Sequence, residues 1–182
     1  MPHFGCCHAN MHQRWPKFVE TMWMATNDNG VIAVAYGPST VKVKIGKGID
    51  VTIKEMTNYP FNGEVKMKIS TNSKVKFPLY LRIPGWVETV KINYRDKSVE
   101  GKRGATVRLE EKWSDGDEIV MNIPLKLRYE TRFNNSISIL RGPLYFSLRI
   151  DKEYKKVKID NDNLSYKGSV DWEIYPKSNW NY

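Results

Sequence analysis

The residues best suited to metal binding and nucleophilic chemistry are confined to one short stretch near the N-terminus, HFGCCHANMHQRW. This stretch contains both cysteines of the chain, Cys6 and Cys7, and all three histidines, His3, His8 and His12. A cysteine thiolate can act as a nucleophile and as a zinc ligand. His8 and His12 are spaced i, i+4 and would share one face of a helix.

Composition alone leaves two interpretations of this stretch open. One is a local metal site formed by Cys6, Cys7, His8 and His12, although two cysteines do not fill a zinc site and the spacing follows no zinc motif. The other, which we favour on composition, is two buried cysteines beside surface histidines. Adjacent cysteines do not form a disulfide framework, so cysteine usage does not indicate a compartment.

Paired carboxylates are the second candidate chemistry, because glycoside cleavage commonly uses two carboxyl groups about 5 to 9.5 Å apart. The acidic residues of EEKWSDGDE are Glu110, Glu111, Asp115, Asp117 and Glu118. However, Asp-Gly is a hairpin turn signal, and acidic residues are favoured in turns for backbone reasons. Turn formation is therefore the favoured interpretation of this cluster.

Aromatic side chains are the third candidate, because their faces suit the CH groups of sugars. Trp86, Trp113 and the tryptophans of the C-terminal segment could form a stacking platform for a saccharide. Tryptophan also buries a large surface area when it packs in a protein core. Core packing is therefore the favoured interpretation.

The charge balance raises nucleic acid as a partner but does not favour it. The 182-residue chain has 29 Lys plus Arg against 20 Asp plus Glu, a net charge of +9. Its lysines alternate with apolar residues in strings such as VKVKIGK and VKMK, which is typical of the solvated face of a sheet. No apolar run is long enough to span a membrane, and no secretory signal is recognisable, so the compartment is left open.

Periodicity predicts one helix followed by many short strands. The helix is expected over 10–26, with Asn10 as a cap and an apolar stripe through which the chain could self-associate. Eleven strands are then indicated by alternation and turn residues, near 31–36, 40–46, 49–57, 63–70, 75–83, 89–94, 105–110, 117–123, 126–133, 136–141 and 143–150. This pattern predicts a mainly β protein built as an antiparallel β-sandwich.

Several segments, taken in order, resemble one family of bacterial enzymes. CCHANMHQRWPKF, TNYPFNGEVKMKI, FPLYLRIPGW, KWSDGDEIVMNIPLKLR, ISILRGPLYFSL and DWEIYPKSNWNY are similar to motifs of the β-L-arabinofuranosidase-like glycoside hydrolases of family 127, also labelled DUF1680. Each match alone is weak, but together they run across nearly the whole chain.

The resemblance implies a fold and a mechanism. Family members carry an (α/α)6 catalytic barrel followed by β-sandwich domains, and they hold zinc with three cysteines and one glutamate. By resemblance, Cys6 matches the proposed nucleophile of a retaining mechanism, and both Cys6 and Cys7 match zinc ligands. His8 and His12 would be neighbours of the substrate pocket. The third cysteine, the zinc glutamate and the acid/base glutamate lie upstream of these positions in the family.

The resemblance also implies how the chain is organised. We expect residues 1–27 to be the end of a catalytic barrel, 28–150 to be the β-sandwich domain, and 151–182 to be a C-terminal extension. The expected role is the C-terminal part of a glycoside hydrolase acting on arabinofuranosides, inactive alone and with an incomplete zinc site. The alternatives are a non-catalytic carbohydrate-binding or structural module and, less favoured, a nucleic-acid-binding domain.

Overall fold

The structure is a computed structural model that describes residues 10–147, 149, 152–157 and 171–176. The chain divides into two compact units: one is His12–Phe146, and the other combines Met1–Met11 with Ser147–Tyr182. The domain boundaries predicted from the sequence remain predictions.

The larger unit begins with a short helix and continues as strands. Helix α1 is Arg14–Glu20, and a 3-10 turn is formed by Phe133–Asn135. The strands of this unit are β1 Trp23–Ala25, β2 Val31–Ala33, β3 Ser39–Ile45, β4 Ile49–Thr57, β5 Glu64–Thr71, β6 Val75–Arg82, β7 Thr89–Tyr94, β8 Lys97–Lys102, β9 Thr106–Trp113, β10 Glu118–Asn122, β11 Leu127–Thr131, β12 Ile137–Arg141 and β13 Leu144–Phe146.

The strands of the larger unit form three sheets. Their orders are β1-β2-β6-β9, β3-β4-β5-β10-β7-β8 and β11-β12-β13. Neighbouring strands are antiparallel except for β2 and β6, which are parallel. In the smaller unit, β14 Lys152–Val157 pairs antiparallel with β15 Asp171–Pro176.

The four-stranded and six-stranded sheets share one hydrophobic core. Strand alternation places apolar side chains of both sheets inside this core, including Ile53, Met67, Phe77, Leu79 and Trp113. This arrangement confirms the predicted mainly β, antiparallel sandwich. The assignment of the helix to a catalytic barrel remains a prediction.

The lysine strings lie on the solvent side of the six-stranded sheet, as their alternation predicted. Lys42, Lys44 and Lys54 are exposed, while Val51 and Ile53 on β4 are buried. The alternation therefore explains much of the positive charge without a nucleic-acid partner.

The predicted helix over 10–26 is wrong at its C-terminal end. Helix α1 ends at Glu20, and Trp23–Ala25 pairs instead with β2. The segment TNDNG forms the turn of this hairpin, where the Thr26 amide donates to the Gly30 carbonyl at 3.0 Å. Met22 and Trp23 are buried in the sandwich core, so burial in the sandwich outweighs the helical spacing of the apolar residues.

The beginning of the predicted helix also differs from expectation. Asn10 and Met11 are helical, but a turn at 12–13 precedes α1. The N-cap of α1 is Gln13, whose side chain makes no capping hydrogen bond. No residue of α1 is buried, and Trp15 and Phe18 pack edge-on against each other at the surface. Self-association through this stripe remains a prediction.

Strand β8 was not predicted from the sequence. Its residues KSVEGK lack a regular apolar alternation, and the strand forms because it is the hairpin partner of β7.

Among the described residues, no helix is long and apolar enough to cross a membrane.

Candidate functional site

The predicted nucleophile and metal ligands fall largely outside the part of the chain that the structure describes. Cys6, Cys7 and His8 lie outside the described residues, whereas His12 is described and exposed. Within the described ranges, no group of three or more His, Cys, Asp or Glu could hold a metal ion. The predicted zinc site therefore remains a prediction.

The acidic cluster around Asp115 is structural. Asp115 Oδ1 accepts a hydrogen bond from the Thr71 amide at 3.1 Å, and Gly116 adopts the positive φ of 81° that this turn requires. Glu111 forms ion pairs with Arg95 and Lys97. The turn interpretation is confirmed for Asp115 and Gly116.

Trp86 and Trp113, two of the tryptophans considered as a sugar platform, have different environments. Trp113 is fully buried, and its Nε1 donates to the Phe77 carbonyl at 3.0 Å, which confirms the core interpretation. Trp86 is only partly buried and lines two separate surface cavities. Of Trp86 and Trp113, Trp86 is therefore the one to which a ligand has access.

The first cavity, which we call the aromatic cavity, has a volume of about 310 Å³. Its walls include Phe18, Tyr36, Tyr59, Arg82, Trp86 and Pro143. The segment after β2 contributes Tyr36, the segment after β4 contributes Tyr59, and Arg82 ends β6. The cavity therefore forms where the loops of both core sheets meet α1 and the β12–β13 turn.

The tyrosines of the aromatic cavity are fixed against each other and against the backbone. Tyr36 and Tyr59 pack edge-on, with ring centroids 6.2 Å apart. The Tyr36 hydroxyl donates to the Arg82 carbonyl at 2.7 Å. Burial raises the pKa of both hydroxyl groups above the ordinary tyrosine value, so both stay protonated at neutral pH.

The guanidinium of Arg82 supplies the positive charge of this cavity. Its side chain is exposed, and Nη1 donates to the Val34 carbonyl at 3.4 Å. An aromatic wall with one cation at its edge suits a ring-shaped ligand that carries hydroxyl groups.

The second cavity, which we call the basic cavity, has a volume of about 250 Å³. Its lining includes Trp86, Glu88, Arg103, Lys126 and Arg128. Three side chains thus carry positive charge and one carries negative charge. This balance favours an anionic ligand group.

The β12–β13 turn supports Trp86. Gly142 has a φ of 58°, and a Cβ atom there would lie 2.6 Å from Leu125 Cδ2 and 3.4 Å from Trp86 Cη2. The backbone therefore approaches these side chains more closely than any larger residue would allow. This close approach explains why the segment ISILRGPLYFSL has a glycine at position 142.

Glu55 is a buried carboxylate that the sequence analysis missed. Its Oε1 accepts a hydrogen bond from the Gly37 amide at 2.9 Å, and its Oε2 accepts one from the Ser39 hydroxyl at 3.3 Å. Desolvation by burial raises the pKa of Glu55 to about 7, although both hydrogen bonds oppose the shift. The inward register of Val51, Ile53 and Glu55 on β4 was the available sequence signal.

A raised carboxyl pKa is typical of acid/base catalysts, but the position of Glu55 indicates a structural role. Glu55 is 2% exposed, it lines neither cavity, and both of its oxygens already have donors. Through Gly37 it instead anchors the segment that carries Tyr36. Glu55 therefore holds one wall of the aromatic cavity.

A comparison with family models supports the fold assignment. Residues 30–125 match the model described as the middle domain of GH127 β-L-arabinofuranosidases. The matched residues include Tyr36, Tyr59, Arg82 and Trp86 of the aromatic cavity. No curated protein sequence is significantly similar to the chain.

Solved structures share the same fold. A GH127 β-L-arabinofuranosidase from Geobacillus stearothermophilus T6 has a TM-score of 0.66 and 20% identity, over 94% of this chain and 34% of that chain. A structure described as a glycoside hydrolase has a TM-score of 0.70 and 17% identity, over 94% and 37%. A GH127 β-arabinofuranosidase has a TM-score of 0.58 and 16% identity, over 83% and 32%. The chain spans about a third of the length of these structures.

Proposed function

Because the chain belongs to the GH127 β-L-arabinofuranosidase family through its middle domain, we propose that it contributes a β-sandwich to a glycoside hydrolase acting on arabinofuranosides. The observation that carries this proposal is the family match over residues 30–125, which includes the whole six-stranded sheet and all of the four-stranded sheet except β1. The Cys6–Cys7 pair, by its resemblance to the family's cysteine motif, is the second support.

The proposed chemistry uses Cys6 as the nucleophile of a retaining reaction. The Cys6 thiolate attacks the anomeric carbon, and the glycosidic oxygen leaves with a proton from a carboxylic acid. Water then gives a proton to the resulting carboxylate and attacks the anomeric carbon, which releases the sugar and regenerates the Cys6 thiolate. The acid/base group and its proton come from a part of the enzyme other than the residues that the structure describes. His8 and His12 are proposed neighbours of the bound sugar.

Zinc is the proposed cofactor, and Cys6 and Cys7 are the residues that would hold it. Two thiols suit zinc chemically but provide only part of the usual four ligands. Among the described residues, no group of three or more His, Cys, Asp or Glu could hold a metal ion by itself. Bound zinc would keep the coordinating thiols deprotonated. We therefore expect this chain alone to bind zinc weakly and to release no arabinose.

The proposal can be tested with a chimera. The catalytic region of the Geobacillus relative is joined to this chain immediately before Cys6, so that Cys6, Cys7 and His12 of this chain are kept. Hydrolysis of p-nitrophenyl β-L-arabinofuranoside is then measured with zinc present. We expect arabinose release by the chimera, none by this chain alone, and loss of turnover in Cys6→Ser. His12→Ala serves as a matched variant and should mainly raise KM.

Two results would contradict the proposal. A chimera that folds, contains one zinc per chain and still leaves the substrate intact would show that this sandwich does not support the reaction. Turnover by the isolated chain, retained in Cys6→Ser, would show that the chemistry lies elsewhere.

A non-catalytic carbohydrate-binding module is the second candidate, and the two cavities beside Trp86 favour it specifically. The two functions separate in the chimera assay, because the glycosidase proposal requires turnover that Cys6→Ser abolishes, whereas a non-catalytic module binds saccharide without turnover that depends on Cys6.

A further inference from the structure

Trp86 is positioned between two cavities of different chemistry. The aromatic cavity offers Tyr36, Tyr59 and the ring of Trp86, whereas the basic cavity offers Trp86 beside three cationic side chains. Trp86 is therefore the residue that the aromatic and the cationic cavity walls have in common. This combination suits a molecule that has an apolar ring face and an acidic group.

The positive charge of the basic cavity is largely unneutralised. Among the described residues, Arg103 and Lys126 form no ion pair, and Glu88 is the single carboxylate in the cavity lining. The Arg103 amide donates to the Glu88 carbonyl at 2.9 Å, so the backbone, and not an ion pair between the side chains, joins these two residues. Two cations thus remain available to a ligand.

Arg128 is held in place while one of its donors stays unused. Its Nη1 pairs with Glu130, and its Nη2 donates to the Gly142 carbonyl at 3.2 Å. Its Nε is buried and has no hydrogen-bond partner within the described part of the chain. A buried guanidinium donor without a partner is costly, so the charge of Arg128 is only partly compensated where its side chain lines the basic cavity.

We propose that the two cavities form one binding site for an acidic saccharide containing hexuronate residues. A sugar ring stacks on Trp86 at the edge of the aromatic cavity, and a uronate carboxylate binds Arg103 and Lys126 beside Arg128. The choice of a saccharide rests on the proposed function. The choice of an acidic one rests on the charges of the basic cavity.

A carboxylate fits this site better than a neutral sugar does. The planar guanidinium of the exposed Arg103 presents donors in a fork that matches carboxylate geometry. Hexuronates place their carboxylate on the same ring that would stack against the tryptophan. The site would therefore retain an acidic polysaccharide while arabinofuranosyl groups are removed elsewhere on the enzyme.

The test is a calorimetric titration of the full chain with oligogalacturonate, with the methyl-esterified oligomer of equal length as the matched neutral ligand. We expect oligogalacturonate to bind at least about tenfold more tightly, because esterification removes the charge-assisted hydrogen bonds. Its affinity should fall as salt is raised.

Two variants locate the site. The double variant Arg103→Gln, Lys126→Gln should weaken binding of oligogalacturonate about tenfold or more. The control is Lys42→Gln, Lys54→Gln, which removes the same charge from the exposed face of the six-stranded sheet and should leave the affinity unchanged. Trp86→Leu should weaken the binding of both ligands. The thermal unfolding midpoint of this variant is measured to show that it remains folded.

Three results would overturn the inference. Equal weakening by the two double variants would show that general charge attracts the ligand. Equal affinity for the esterified oligomer would exclude a carboxylate site. Tighter binding of a single-stranded oligonucleotide, lost in Arg103→Gln, Lys126→Gln, would identify a nucleic-acid site instead. None of these results affects the chimera assay, which tests the glycosidase proposal separately.

Discussion

Glu55 lies directly opposite Ser39 in the β3–β4 ladder, and the Ser39 hydroxyl donates to Glu55 Oε2 at 3.3 Å. The same hydroxyl oxygen accepts a hydrogen bond from Trp23 Nε1 at 3.0 Å. A chain of polar contacts thus runs from β1 to the buried carboxylate. The carboxylate in turn accepts from the Gly37 amide, beside Tyr36 of the aromatic cavity.

The burial of Glu55 predicts that stability falls as pH rises. The folded-state pKa is about 7, against an ordinary value of 4.5, so the folded chain binds this proton more tightly than the unfolded chain. The contribution of this proton to the stability of the folded chain is complete below pH 4.5, the ordinary pKa of glutamate. It is lost as the pH rises from there to about 7. We expect a loss of about 1–3 kcal/mol in the free energy of unfolding by urea over that range.

Glu55→Gln should remove this pH dependence, because the amide keeps the size of the side chain but does not ionise. The variant should therefore be more stable than the parent at pH 8 and should have a flatter stability profile between pH 5 and 7. Glu64→Gln is the matched control, since Glu64 is exposed on β5, and it should keep the parental slope. An unchanged slope in Glu55→Gln would assign the titration to another group.

Trp113→Phe should destabilise the sandwich by about 2–4 kcal/mol. The substitution leaves a cavity and removes the donor to the Phe77 carbonyl, which is inside the core. It also replaces the indole, over which the Arg95 guanidinium lies at 5.6 Å from the centroid, by a smaller phenyl ring. Urea unfolding measures the change.

Trp15→Ala provides the comparison for Trp113→Phe. Trp15 is 64% exposed on α1, and its loss should change the free energy of unfolding by less than about 0.5 kcal/mol. Similar costs for the two variants would contradict the assignment of Trp113 to the core.

The sequence identified strands better than it identified the limits of the helix. Alternation correctly predicted β4 and β5, because a two-residue period has one interpretation when one face is buried. In the sequence, Met22 and Trp23 fit the apolar stripe of a helix as well as they fit a strand. Only the pairing of Trp23 with Ala33, across a turn that the sequence did mark, decides between them.

The candidate site was predictable only in part. Tyr59, Arg82 and Trp86 all lie in segments that resemble family motifs, but their meeting in one cavity depends on how the two sheets pack. Trp86 and Trp113 both stand beside turns in the sequence, and only tertiary packing distinguishes the accessible residue from the buried one.

Asp117→Asn should weaken the β9–β10 turn by about 1 kcal/mol at neutral pH. Asp117 Oδ2 accepts from Arg95 Nη2 at 2.6 Å, and the Arg95 contact is the main reason that the pKa of Asp117 is lowered below 3.8. This stabilisation is present when the pH is above the ordinary aspartate pKa of 3.8, and it is lost as the pH falls below that value.

The gap in stability between the parent and Asp117→Asn should therefore narrow in acid. Urea unfolding at pH 7 and at pH 3 measures this gap. Asp96→Asn alters an exposed turn residue and should have little effect at either pH. A constant gap would show that the charge of Asp117 does not cause the stabilisation.

Gly142→Ala should destabilise the chain and disturb Trp86. The positive φ of 58° costs about 1 kcal/mol for alanine, and the new Cβ would lie 2.6 Å from Leu125 Cδ2, so a total of about 2–3 kcal/mol is expected. Gly104→Ala is the matched control, because Gly104 has a φ of 69° with open space around it. Its cost should be only about 1 kcal/mol.

The difference between these two alanine variants measures the close approach of the β12–β13 turn to Trp86 and Leu125, because the backbone cost is common to both. Tryptophan fluorescence should shift in Gly142→Ala and not in Gly104→Ala, since only the first substitution displaces a neighbour of the indole. Equal destabilisation with unchanged fluorescence would mean that the turn does not position Trp86, and the two cavities would then be independent of it.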